Sequence, residues 1–348
     1  MHTLTLLALL TGGWIQTGGR WTTNYYSLPE GSSAGGADLQ WSAWGGTPAL
    51  SWFTWGTLEQ YRTSYGDERI LTPTVGLMYR APWGEIGGRW TLSVASSPTG
   101  YAPDGSQYSL WGTLRTSPAS FHLTLDRWTS SAYALDDGQV EGTLTLHRSA
   151  GRWRMEASLL GGLRWRKLTV ETSPSPWPRW RMGDPLTGTS TRTVSAQRVG
   201  GVLTLRWTPD LWSTYWVQAF GHRVFGDSLL AFPDPTTQTS DLWVGTSYAY
   251  HQLGVSLGAR VDLPWRSQIQ GWIQADRRVY PFTTVLDPTG GAGDVREDLT
   301  TAGGLRLERG WMAHATIFLE ASATRNTSTD PSLTFDQLRT GAGLRFFF

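Results

Sequence analysis

Two-residue alternation of apolar and polar side chains runs along nearly the whole chain, and it limits the fold more than any other feature. In RWTLSV, Trp90, Leu92 and Val94 share one face, while Arg89, Thr91 and Ser93 share the other. FHLTLD sets Phe121, Leu123 and Leu125 against His122, Thr124 and Asp126. The same pattern recurs in RWRMEASL (152–159), LGVSLGARVDL (253–263) and AHATIFLEA (313–321). Segments with the three-to-four spacing of a helix are essentially absent. A period of two means strands with one face apolar and one polar, so the chain is all-β.

The punctuation between strands alternates as well. Short turns are expected at 45–48, 81–84, 117–120, 149–151, 208–210, 264–267 and 309–311, where Pro and Gly permit tight reversal. Longer polar loops are expected at 28–37, 63–69, 97–104, 132–138, 172–192, 226–238, 281–296 and 326–335. Seven short turns and eight long loops make fifteen connections and sixteen strands. Fourteen or eighteen are the alternatives, because 239–263 reads either as one bulged strand or as two. Segments such as 49–62, 105–116, 152–170 and 311–325 are long for soluble sheets and suit tilted strands of about 9–11 residues crossing a bilayer. In hydrocarbon no water satisfies backbone N–H and C=O groups, so a spanning sheet must close on itself. The expected fold is a transmembrane up-and-down antiparallel β-barrel, short turns at one end and long loops at the other.

Composition narrows the function. Only 16% of the 348 residues are charged and the net charge is +1, which gives no basis for a nucleic-acid partner. There is no Cys, so thiolate metal sites, thiol catalysis and disulfides are excluded. No stretch approaches the roughly 20 apolar residues of a spanning helix. Residues 1–18 contain an apolar run, Leu4 to Leu10, and are read as a signal-like or N-terminal periplasmic segment. An extra strand over His2 to Leu10 is the alternative. Residues 19–348 are then a single barrel.

The last strand carries a second signal. Leu338, Ala342, Leu344, Phe346 and Phe348 fall on one face, Arg339, Gly341, Gly343, Arg345 and Phe347 on the other. The segment resembles the C-terminal signature of Gram-negative outer-membrane β-barrel proteins: a glycine, spaced hydrophobics, and a terminal aromatic. Gly343, Phe346 and Phe348 match those positions. Gly341 stands where that signature has a polar residue, with Thr340 adjacent. The resemblance implies an outer-membrane location and recognition by the barrel assembly machinery. Outer-membrane lipid and lipopolysaccharide are expected neighbours, and a homo-oligomer or periplasmic partner is conceivable.

No catalytic, cofactor or metal site emerges. Of six His, only His222 approaches a long loop with an acid nearby, Asp227, and one such pair does not make an enzyme. Charges on the polar face are the better lead, since an Arg facing lipid at midplane costs about 2–4 kcal/mol. Alternation places Arg89, Arg115, Asp126, Arg152, Arg154, Glu156, Arg206, Arg260, Asp262, Asp276, Arg306, Glu308 and Glu320 there, as pore-lining candidates, together with Trp272. Arg outnumbers acid in this set, which hints at anion preference. Trp111 and Trp128 share the polar face with Trp272, and aromatic faces beside amides suit sugar rings. The alternative is that they fill space. Glu68, Asp136, Asp137 and Asp298 are read among the acids of the long loops. The proline-rich loop 172–192 is a candidate constriction, with Arg179 and Arg181 as its charges. The expected function is passive diffusion of small hydrophilic solutes through a porin-like channel. An export pore for polysaccharide, or a structural or adhesive barrel with a blocked lumen, are the alternatives.

Overall fold

Each strand pairs antiparallel with the next in sequence, and the first pairs with the last. The computed structural model describes residues 10–23, 33–63, 66–96, 105–130, 135–172, 188–226, 250–286 and 292–348. The strands are β1 (Leu10–Thr22), β2 (Ala34–Gly46), β3 (Leu50–Thr63), β4 (Gly66–Ala81), β5 (Gly84–Ser96) and β6 (Gly105–Thr116). They continue as β7 (Ala119–Ser130), β8 (Leu135–Ala150), β9 (Trp153–Thr172), β10 (Gly188–Trp207) and β11 (Ser213–Gly226). The circuit is completed by β12 (Tyr250–Leu263), β13 (Ser267–Leu286), β14 (Ala292–Met312), β15 (Ala315–Ser328) and β16 (Phe335–Phe347). The sheet is a closed barrel of sixteen strands, and a three-residue 3-10 turn, Pro331–Leu333, is the one helical element among the described residues.

Closure is made by β1 and β16, in register from Trp14 opposite Phe347 to Thr22 opposite Arg339. Gly13 and Phe348 finish the seam by exchanging two backbone hydrogen bonds, each 3.0 Å. The Phe348 ring occupies the space a side chain at position 13 would need, so only glycine fits there. Residues 10–18 therefore belong to the wall and not to a segment ahead of it, because β16 needs β1 to leave no open edge. Residues 1–9 lie outside the described residues.

Several connections are shorter than their polar composition suggests. The pairs Arg62–Asp67 and Thr63–Gly66 carry β3 and β4 nearly to the tip of the expected loop 63–69. Strand β8 starts at Leu135, β14 at Ala292, and β15 continues to Ser328. The turn expected at 309–311 falls instead after Met312, because the ladder absorbs Gly310 and Trp311 as an irregularity between Gly310 and Met312. Segment 239–263 contains a single described strand, from Tyr250.

The outward face is apolar on every side. Leu77, Leu110, Leu123, Leu159, Leu203, Leu253, Ile273, Leu305 and Leu319 all point out and are exposed. No soluble protein leaves so continuous an apolar surface open to water. At the short-turn end it is bordered by Trp83, Trp153, Trp207, Trp212, Trp265 and Trp311, an aromatic belt of the kind that settles at a lipid–water boundary. Trp153 and Trp207 stack at 5.7 Å, and Trp207 meets Tyr215 at 5.3 Å. The β10–β11 turn beneath is tied by Asp210, which accepts hydrogen bonds from Ser213 Oγ and from the Trp212 and Ser213 amides. The Ser213 hydroxyl foremost, with those amides, holds the Asp210 carboxyl below the usual carboxylate range.

Candidate functional site

The inner face is polar by alternation, and its charges are brought together into networks. Around the seam, Arg306 reaches Glu308 at 2.6 Å and Glu320 at 2.8 Å, while Arg345 reaches Glu308 at 3.6 Å and hydrogen-bonds Gln16. Arg20 then links Glu320 at 3.8 Å to Asp38 at 3.2 Å. This chain runs from β14 through β15, β16 and β1 to β2, so the closure is braced by side chains as well as by its ladder.

A second cluster lies on β8, β9 and β10. Asp137 accepts from Arg164 at 2.7 Å and from Arg166 at 2.6 Å, with Asp137 and Arg164 both nearly fully buried. Arg198 pairs with Glu141, which also accepts from Gln139. On β12–β15, Asp276 takes Gln252 at 2.8 Å, Gln274 at 3.3 Å and Arg278 at 3.4 Å. Beside it Asp298 holds Arg296 at 2.6 Å and accepts from Ser328 at 2.5 Å. On β5–β7, Arg89 donates to Ser109, and Ser109 and Gln107 donate to Asp126.

Most of the predicted pore-lining residues occupy this wall. Arg89, Asp126, Asp276, Arg306, Glu308 and Glu320 sit in the networks above. Arg115 with Glu85, Arg154 with Glu156, and Arg260 with Asp262 form more exposed pairs toward the short-turn end. Arg206 stands opposite Arg154 on the neighbouring strand. Arg152 is a correction: it lies in the β8–β9 turn, where Gly151 adopts a φ of +58°, and so belongs to the rim and not to the wall. Arg179 and Arg181, with the bulk of loop 172–192, lie outside the described residues. So does Asp227, the acid considered with His222; the His222 ring itself faces inward and meets Tyr250 OH at 3.2 Å.

Sequence reasoning missed Arg20, Asp38, Arg164, Arg166, Arg198 and Arg296, and it misplaced Glu68, Asp137 and Asp298 in loops. All three of these acids are buried on strands. Their local sequences, GDER, DDGQ and VRED, read as turns, yet each carries its strand's alternation two to four residues further out. Extending the two-residue period through those polar runs would have found them.

Between the charges runs a neutral surface. Thr57 and Thr72 hydroxyls meet at 2.6 Å, and Thr74 and Thr91 at 2.8 Å. His122 bridges Thr113 at 2.8 Å and Thr124 at 2.9 Å. Phe318 covers Gly18 and Gly343 across the seam, and Trp272 lies against Gly304.

A closed ring, apolar outside and polar within, with an aromatic belt at one boundary, defines the class: a multi-pass β-barrel of the Gram-negative outer membrane. Solved structures of that class superpose on nearly the whole chain. OccAB3 of Acinetobacter baumannii aligns with a TM-score of 0.56 at 8% identity, covering 97% of this chain and 99% of its own. OccK3 (OpdO) of Pseudomonas aeruginosa aligns with a TM-score of 0.53 at 11% identity, covering 97% and 95%. A structure described as a bacterial polysaccharide outer membrane secretin aligns with a TM-score of 0.51 at 10% identity, covering 97% and 98%. No protein-family model and no curated protein matches the sequence. At these identities the likeness establishes the shared barrel fold.

Proposed function

We propose that the protein is an outer-membrane channel through which small hydrophilic solutes diffuse passively. The observation that carries this reading is the inner face: a sixteen-stranded ring lined by ion pairs, amides and hydroxyls. Barrels of this strand number enclose an aqueous channel. A strand spacing of about 4.8 Å and a tilt near 40° give a ring roughly 30 Å across between backbones. Purified protein inserted in planar bilayers is expected to show steady, stepwise ionic current. Electrical silence with correctly folded protein would overturn the channel and favour a structural or adhesive barrel.

A polysaccharide export pore is the second reading, favoured by inward-facing tryptophans and by the likeness to the polysaccharide secretin. It predicts a requirement for periplasmic partners that simple diffusion does not have. We further propose phosphate-bearing lipids of the outer leaflet as neighbours of the outward-facing Arg127, Lys167, Arg277 and Arg325, each of which also pairs with a carboxylate of Asp136, Glu297 or Asp336. All four lie toward the long-loop end and are more than half exposed.

A further inference from the structure

Aromatic side chains occur around much of the inner wall, Trp14, Trp44 and Trp128 among them, and two arcs of them stand on opposite sides. One holds Phe53 and Trp55 on β3 and Trp111 on β6; the other holds Trp216 on β11 and Trp272 on β13. In a ring of sixteen strands, β3 stands eight places from β11 and β5 eight from β13, so the arcs face each other across the lumen. Phe53 and Trp111 lie 6.0 Å apart.

Four of these five rings share one arrangement. Phe53 lies against Gly76, Trp111 against Gly87, Trp216 against Gly258 and Trp272 against Gly304. At Gly304 a Cβ would come within 2.7 Å of Trp272 Nε1 and 3.0 Å of Cε2. Glycine lets the ring lie down on the wall, one face on the backbone and the other toward the lumen. Trp55 shares the face of Thr57 and is 39% exposed there.

The surroundings are rich in hydrogen-bonding groups, with charge at their edges: Arg206 stands opposite Trp216, Gly87 beneath Trp111 lies between Glu85 and Arg89, and Arg306 is two residues from Gly304. The Thr57–Thr72 and Thr74–Thr91 hydroxyl pairs flank the first arc. Gln218 sits two residues from Trp216, donating to Thr204 at 3.2 Å, and Gln270 and Gln274 lie on either side of Trp272. Such rings offer an electron-rich flat surface, and the amides and hydroxyls both donate and accept. A pyranose has the complementary shape: a C–H face for the ring and peripheral hydroxyls for the polar rows.

We propose that the two arcs are stacking platforms for oligosaccharides passing through the lumen. This rests on the channel reading for passage, but the platforms themselves are tested by binding alone. The experiment is isothermal titration of the detergent-solubilised barrel with maltohexaose, cellohexaose and chitohexaose, using poly(ethylene glycol) of matching size as control. Saturable binding of at least one sugar and none of the polymer is expected. Trp55→Ala and Trp272→Ala should each weaken it several-fold, while Trp207→Ala on the outer face leaves it unchanged. In bilayers the bound sugar should interrupt the ionic current. No saturable binding of any of the three sugars to the unaltered protein overturns the proposal, even if the channel conducts. Binding unaffected by both inner substitutions also overturns it. Sugar binding without ionic current retains the platforms and overturns the channel reading instead.

Discussion

Asp137 is the residue on which the β8–β10 wall depends most. It holds two guanidinium groups while almost excluded from solvent, so its loss takes a buried carboxylate away from both. Removing one partner of a buried ionic cluster costs about 3–5 kcal/mol, whereas an exposed pair contributes about 0–1 kcal/mol. Asp137→Ala is therefore expected to lower the temperature at which the barrel loses its heat-modifiable mobility on gels, and Asp262→Ala to leave it nearly unchanged. Equal effects would mean that the Asp137 cluster is not desolvated in the membrane. Asp210 carries a pH dependence of definite sign. Its carboxyl is held below the ordinary value in the folded turn, so its contribution is present above the unfolded carboxylate pKa and fades as pH falls through the lowered one. Acidification should raise hydrogen exchange at 211–213, and Asp210→Ala should show that faster exchange already at neutral pH.

At the scale of the strand, neighbouring positions face different solvents, and that is open to direct test. Leu123 and Thr124 are consecutive near the middle of β7; Leu123 is exposed on the outer face and Thr124 hydrogen-bonds His122 within. Arginine at an outward midplane site costs about 2–4 kcal/mol, and far less in a hydrated lumen. Leu123→Arg should sharply reduce folding into lipid vesicles while Thr124→Arg folds and alters conductance. The reverse order would invert the barrel. This alternation is also why the fold was legible in the sequence. RWTLSV and FHLTLD announce their faces, and Pro and Gly mark most of the tight turns. Strand ends were harder to read, because above the membrane a strand no longer needs apolar outward residues. There GDER and DDGQ look like loops while continuing the ladder, and the buried Glu68 and Asp137 were lost with them. Ion-pair partners were not legible at all, since the register that sets Arg20 near Asp38 and Glu320 arises only on closure.

For the whole molecule, the balance of lumen charge decides which ions pass. Counting Arg against acid on the polar face hints at anion preference, but the folded wall alters that sum. Arg164, Arg166, Arg198, Arg296, Arg306 and Arg345 each lie beside a carboxylate, so much of their field is cancelled within a few ångströms. What remains is local. Near the short-turn end Arg206 faces Arg154, which pairs with Glu156, and among the described residues this sets two exposed guanidinium groups beside one acid. Exposed charge is screened over about 8–10 Å at physiological salt, less than half the width of such a ring, so it biases ions along one side of the lumen and not across it. The expected selectivity is a weak preference for anions that fades as salt rises. Measured as reversal potential across a KCl gradient, Arg206→Gln should move the pore toward neutrality, and Glu156→Gln should strengthen the anion preference. A strongly selective pore, or one indifferent to both substitutions, would place the filter elsewhere than this rim.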